Sequence, residues 1–156
     1  MVKSLKILFV CSGNTCRSPM AEAYVNFRYK SASGVSVSAK SAGLFVTEDC
    51  INPNSASALL EYGIPSRPPH AYLSHVPRQI TEYDIENSDL VVCMNGNMAQ
   101  RLSLFFPEYK GRITAFKNSV GDPYGGDIYL YRECLCDIIR ETDKLLKELT
   151  ENETDV

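Results

Sequence analysis

The sequence predicts a three-layer α/β fold, a four-stranded parallel sheet with helices on both faces. Three observations carry that expectation. Short apolar runs alternate with stretches of helical spacing along the chain. The first run, Ile7-Leu8-Phe9-Val10, is unbroken and ends directly at a small polar loop. The long C-terminal segment from Ile128 repeats apolar residues mostly three or four apart, at Tyr131, Leu135, Ile138, Leu145 and Leu149.

In order, residues 5–10 read as the first strand. Pro19 stands where a first-turn proline is tolerated, so residues 20–29 read as a helix. Residues 35–39 form a second strand, followed by Ser41-Ala42-Gly43. Residues 53–62 look helical and stop at Gly63; residues 64–77 carry four prolines and read as a loop. Residues 81–87 make a short helix, 90–94 a third strand, 97–105 a helix and 113–116 a fourth strand. Asp127 supplies an N-cap for the last helix. With no repeat, low-complexity tract or linker, residues 1–150 read as one domain, and the acidic residues 151–156 as a flexible tail.

A chain of 156 residues can fill one core, and 44% apolar with 22% charged residues is ordinary for a globular protein. The net charge of −3 offers no basic field for nucleic acid or an anionic membrane. The N-terminal apolar run is shorter than a signal-peptide core and lacks a cleavage site, so a cytoplasmic protein is expected. Six cysteines without an export signal read as reduced thiols, mostly core residues. Their spacing and that of the two histidines match no zinc site.

Cys11 is the exception. Cys11-Ser12-Gly13-Asn14-Thr15-Cys16-Arg17-Ser18-Pro19 leaves the first strand and enters a helix. In open parallel sheets ligands sit at the carboxyl ends of strands, where this loop lies. A bare C-x5-R pattern proves little, but its position after a strand and before a proline-started helix matters. Such a loop turns successive N–H groups toward an anion, and the helix start adds its positive dipole end. Gly13 and Asn14 tolerate left-handed backbone. Arg17 can clamp two oxygens of a phosphoryl group, and the same field stabilises a Cys11 thiolate.

The segment VCSGNTCRSPMAEA resembles the phosphate loop of the low-molecular-weight protein tyrosine phosphatases, whose pattern is C-x-G-N-x-C-R-S-P. The resemblance continues in Ser41-Ala42-Gly43, in the stretch from His75 to Thr81 and in Asp122-Pro123-Tyr124. It implies the phosphotyrosine protein phosphatase I-like fold and hydrolysis of a phosphorylated protein side chain, with inorganic phosphate as product and no metal or cofactor. Cys11 would form a phosphocysteine while Arg17 and the loop, Ser12 to Cys16 with Ser18, hold the phosphoryl oxygens. Asp122 would act as acid and then base. Read alone, Gly-Asp-Pro-Tyr-Gly-Gly is first a turn. The family also implies a supporting network of Asn14, Ser18, Ser41 and His75. Cys16 would pair with Cys11 under oxidation. His70 matches nothing and reads as exposed.

Two substrates remain open. In tyrosine-specific members the position of Thr15 usually carries an aliphatic residue, and a second tyrosine often follows the acid loop. Thr15 and the Gly125-Gly126 that follow Tyr124 instead resemble the bacterial protein arginine phosphatases. A hydroxyl suits a guanidinium, and Tyr124 with Phe45 as opposite wall could stack on either group. Phosphoarginine is the favoured substrate, phosphotyrosine the alternative. An arsenate reductase would need a relay cysteine beyond Cys93, and residues 95–104 contain none. A non-catalytic phosphoprotein-binding module would have no need of Cys11, Arg17 and Asp122 together.

Overall fold

The computed structural model describes residues 3–29, 35–68 and 71–154. Its sheet has four parallel strands, β1 (Lys3–Cys11), β2 (Val35–Gly43), β3 (Leu90–Cys93) and β4 (Ile113–Ala115), in the order β2-β1-β3-β4. The helices are α1 (Arg17–Arg28), α2 (Pro53–Tyr62), α3 (Glu82–Glu86), α4 (Gly96–Phe105) and α5 (Ile128–Thr154). The chain steps one way along the sheet through β1-α1-β2 and the opposite way through β3-α4-β4. Right-handed crossovers therefore put α1 and α4 on opposite faces. The three-layer α/β expectation holds. Among the described residues no helix is long and apolar enough to cross a membrane.

The central strand explains its own sequence. Ile7, Leu8, Phe9 and Val10 are all buried, because helices cover both faces of the sheet. Val91, Val92 and Cys93 of β3 are likewise buried, and Phe9 meets Phe116 with ring centroids 6.1 Å apart. α2 begins at an Asn52 cap and stops at Gly63, whose φ of 102° is left-handed. Asp127 Oδ1 accepts from the Leu130 amide, as an N-cap should.

Beyond shifts of one or two residues at other element ends, four features differ from expectation. β2 continues through Gly43, because Ser41, Ala42 and Gly43 pair in register with Phe9, Val10 and Cys11 despite their turn-like composition. α1 begins at Arg17, three residues before the expected start, so the loop passes straight into the helix. The proline-rich stretch 64–77 contains a 3₁₀ turn at Tyr72–Ser74, tied down by Tyr72 Oη donating to Ile64 O. Helix α5 runs through Thr154, so the first four residues of the expected acidic tail are helical; 155–156 lie outside the described residues, as does His70.

The buried stripe of α5 also departs from a simple apolar repeat. Tyr131, Leu135 and Ile138 are buried as expected, but Glu141 and Thr142 continue the stripe, and Leu146 is buried more fully than Leu145. Glu141 accepts from the Asn118 amide at 2.8 Å and from Asn118 Nδ2 at 3.1 Å. That pair ties α5 to the segment leading to Asp122.

Candidate active site

The six residues from Cys11, the last of β1, to Cys16, just before α1, close into a cup, and the direction of their carbonyls shows why. Cys11 O accepts from the Leu44 amide at 3.0 Å, Ser12 O from Phe45 at 2.7 Å, and Thr15 O from Asn52 at 3.0 Å. Asn14 O meets His75 Nε2 at 2.8 Å, and Cys16 O accepts from the Ser55 hydroxyl at 3.4 Å. These carbonyls all bond away from the cup, leaving backbone N–H groups as the polar lining an anion would meet. The start of α1 at Arg17 adds its helix dipole there.

Asn14 holds the bend. Its φ of 58° is the one left-handed backbone among the described non-glycine residues, a conformation asparagine tolerates better than most. Its Nδ2 donates to Ser18 Oγ at 2.8 Å and Ser41 Oγ at 2.9 Å, while its Oδ1 accepts from the Arg78 amide at 2.9 Å. Ser41 in turn donates to Glu22, and all these side chains except Arg78 are buried. At about 1 kcal/mol each, three such bonds offset the roughly 1–2 kcal/mol of left-handed strain.

Above this support lies a cleft of about 340 Å³. Cys11 is at its base, with Sγ 2.9 Å from Ser18 Oγ. Arg17 is buried; its Nη1 donates to Val120 O at 3.0 Å, and its Nη2 lies 3.6 Å from Asp122 Oδ2. Its Nε is buried and has no acceptor among the described residues, a donor available to a bound oxyanion. Asp122 is half-exposed on the opposite rim, its Oδ1 turned back to accept from the Tyr124 amide at 3.1 Å. Ser12, Gly13, Thr15, Cys16, Phe45 and Tyr124 join the lining. A thiol, a guanidinium and a carboxyl group thus share one cleft.

Every residue expected at the site is brought to it: the reactive and wall residues line the cleft, and Asn14, Ser18, Ser41 and His75 stand behind it. All six cysteines are free. Cys11, Cys16, Cys93 and Cys134 are buried, while Cys50 and Cys136 are exposed. Burial pushes the Cys16 thiol up, against hydrogen bonds to Tyr131 and Thr15. Burial likewise pushes Cys93, wholly enclosed at the end of β3, up to about 12, so it is a core thiol. Among the described residues no group of three His, Cys, Asp or Glu side chains could hold a metal ion.

Four contributors escaped sequence reasoning. Gly43 lets the loop cross it, since a Cβ there would lie 2.9 Å from Ser12 O and 3.0 Å from Asn14 N. Glu22 anchors Ser41, and Arg78, ion-paired to Asp84, supplies the amide that holds Asn14. Glu48 lines the cleft with its Oε1 3.5 Å from Tyr124 Oη. Glu22, Gly43 and Arg78 lie inside segments already singled out for their resemblance; Glu48 left no signal.

The comparisons with known proteins agree with this geometry. A family model described as low molecular weight phosphotyrosine protein phosphatase matches residues 6–155. A protein-arginine-phosphatase of Bacillus subtilis is 34% identical over 158 residues, covering 92% of this chain and 98% of that protein. A low molecular weight protein-tyrosine-phosphatase, PtpB, of Staphylococcus haemolyticus is 33% identical over 136 residues, covering 83% and 88%. Among solved structures, a YwlE arginine phosphatase mutant with a phosphorylated active-site serine superposes with a TM-score of 0.79 at 32% identity, covering 94% of this chain and 96% of that one. The chain belongs to the low molecular weight phosphotyrosine protein phosphatase family.

Proposed function

We propose that this protein phosphatase hydrolyses phosphoarginine in proteins through a phosphocysteine on Cys11. The Cys11 thiolate attacks phosphorus in line, forming the S–P bond as the P–N bond breaks. Asp122 gives its proton to the departing guanidine nitrogen. The Arg17 Nε–H and the inward loop amides hold the phosphoryl oxygens as charge shifts onto them. Asp122, now a carboxylate, takes a proton from water, which attacks phosphorus and expels Cys11 with release of inorganic phosphate. Ser18 Oγ, 2.9 Å from Sγ, can donate to the returning thiolate. A relative with a phosphorylated active-site serine supports the covalent intermediate.

The observation that carries the choice of phosphoarginine is the Thr15 hydroxyl in the cleft wall. Thr15 is 7% exposed, and among the described residues its Oγ1 meets Cys16 Sγ at 3.5 Å. A guanidinium presents N–H donors to the lone pairs of that oxygen; a phenyl ring would cover them without a donor, at a cost of about 1–3 kcal/mol. Glu48 and Asp122 on the same cleft also suit a leaving group that carries positive charge. The tyrosine reading rests on Phe45 and Tyr124, whose rings would flank a phenol equally well, and on relatives such as PtpB.

The deciding experiment compares kcat/KM for a phosphoarginine and a phosphotyrosine peptide in wild type and Thr15→Ile, with Cys11→Ser as the inactive control. Preference for phosphoarginine, shifted toward phosphotyrosine by about tenfold or more in Thr15→Ile, is expected from the 1–3 kcal/mol above. A wild type that prefers phosphotyrosine and ignores the substitution would overturn the reading.

A further inference from the structure

A second cleft, about 480 Å³ in volume, adjoins the first. Ile80 and Leu102 form its buried floor, and Leu44, Phe105 and Phe106 line it with Phe45. Phe45 also lines the Cys11 cleft, so the two clefts meet at that residue. The ring stands on a braced segment: Gln79 Nε2 donates to Leu44 O at 2.7 Å, and Gln79 Oε1 accepts from the Val46 amide at 3.1 Å. Phe105 is 79% exposed and Phe45 77%, so two large aromatic side chains face solvent around an apolar floor. Arg101 is the one charged residue in the lining and has no ion pair among the described residues.

We propose that this groove receives the substrate's own chain beside the phosphorylated residue. It would take an apolar side chain next to an acidic one, two to four positions from the reacting group. Three features select that occupant. The enzyme acts on proteins, so a polypeptide must continue out of the Cys11 cleft past Phe45. At about 3.3 Å per extended residue, crossing one aromatic ring takes two to four residues. An apolar floor beside a lone cation matches an apolar residue with an acidic neighbour. The groove thus gives the phosphatase a sequence preference beyond the phosphorylated side chain.

The test uses phosphopeptides that differ only by Leu or Ser at each position from two to four on either side. Each pair shares its phosphorylated residue, so the groove is read whether that residue is arginine or tyrosine, and failure here is separable from failure of the substrate assignment. At one position Leu should raise kcat/KM about tenfold, about 1.4 kcal/mol, through KM with kcat unchanged. Phe105→Ser should abolish that difference while leaving hydrolysis of para-nitrophenyl phosphate, too short to reach the groove, at the wild-type rate. Arg101→Glu should keep the Leu preference and reverse the preference for an acidic over a basic neighbour. No Leu effect at any position would overturn the proposal. So would a Phe105→Ser loss shared equally by para-nitrophenyl phosphate, or a wild-type dimer in sedimentation that Phe105→Ser dissolves, which would assign the groove to a second copy.

Discussion

An alanine at Gly43 would carry a Cβ 2.8 Å from Val46 Cγ2, 2.9 Å from Ser12 O and 3.0 Å from Asn14 N. The valine methyl can rotate aside; the other two neighbours are backbone of the phosphate loop. Restoring ordinary contact at 3.4 Å requires about 0.5 Å of movement between Gly43 and that loop. Gly43 cannot supply it easily, because its amide donates to Arg78 O at 2.8 Å and its carbonyl accepts from Ile80 at 2.9 Å. The displacement therefore falls on Ser12 and Asn14. Misplacing reacting groups by 1 Å costs about 100-fold, so half that shift should lower kcat roughly tenfold. Overpacking should cost about 1–3 kcal/mol, which in a chain this size lowers Tm by roughly 3–10 °C. Steady-state hydrolysis of para-nitrophenyl phosphate and thermal melts would measure both. Gly111→Ala, where the added Cβ meets nothing within 4 Å, is the control. If Gly43→Ala matches that control in kcat and Tm, the close approach of β2 to the loop does not constrain the site.

Other perturbations read neighbouring parts of the molecule. Burial opposes the Glu141 charge, but hydrogen bonds from Asn118, with Lys144 and Arg140 nearby, outweigh it and hold the carboxyl below its ordinary range. A lowered folded-state value stabilises the protein above the unfolded value of about 4.3 and loses that effect as pH falls through the folded value. Glu141→Gln should cost about 1–3 kcal/mol at pH 7, and urea titrations should find the gap to wild type closing below about pH 4. Cys11 and Cys16 are both free in the same cleft. Peroxide should convert the Cys11 thiol to a sulfenic acid, which Cys16 attacks to form a disulfide with loss of water. Dithiothreitol should then restore wild-type activity, while in Cys16→Ser further peroxide should take the unprotected sulfenic acid on to sulfinic acid, which dithiothreitol does not reduce.

The fold was legible because its strongest signals are local. An unbroken apolar strand, a proline-started helix, Gly63 and the Asp127 cap each leave a mark on adjacent residues. The reactive residues were legible for the same reason, Cys11 to Ser18 being one contiguous segment whose pattern matches a known loop. What was missed is what distant parts of the chain do for that segment. The second strand was expected to end at residue 39, yet Ser41-Ala42-Gly43 is strand too, since pairing with Phe9, Val10 and Cys11 overrides its small-residue composition. Glu22 and Glu141 sit on helical faces where acids normally meet water, and only tertiary contacts reveal Ser41 and Asn118 as their partners. The short acidic tail looked flexible, whereas α5 carries it as far as Thr154.

The loop's chemistry follows from a constraint on its other side. To offer N–H groups inward, the backbone must turn its carbonyls outward, and each outward carbonyl then needs a donor. Those donors are the amides of Leu44, Phe45 and Asn52, the Ser55 hydroxyl and the His75 ring. They come from the end of β2, the start of α2 and the proline-rich stretch, so a six-residue cup is specified by residues extending more than twenty positions beyond β2. Among the described residues of the proline-rich stretch, Tyr72 bonded to Ile64 O holds the turn that presents His75, and Arg78 reaches Asn14 from the other end. The same constraint explains why the carbonyl of Asn14 meets a side chain. With left-handed φ at Asn14, its carbonyl leaves the path of the strand amides that serve Cys11 and Ser12, and a histidine ring from outside the sheet reaches it instead. The geometry of the cup is therefore as much a property of β2, α2 and the stretch around His75 as of the cysteine-arginine segment itself.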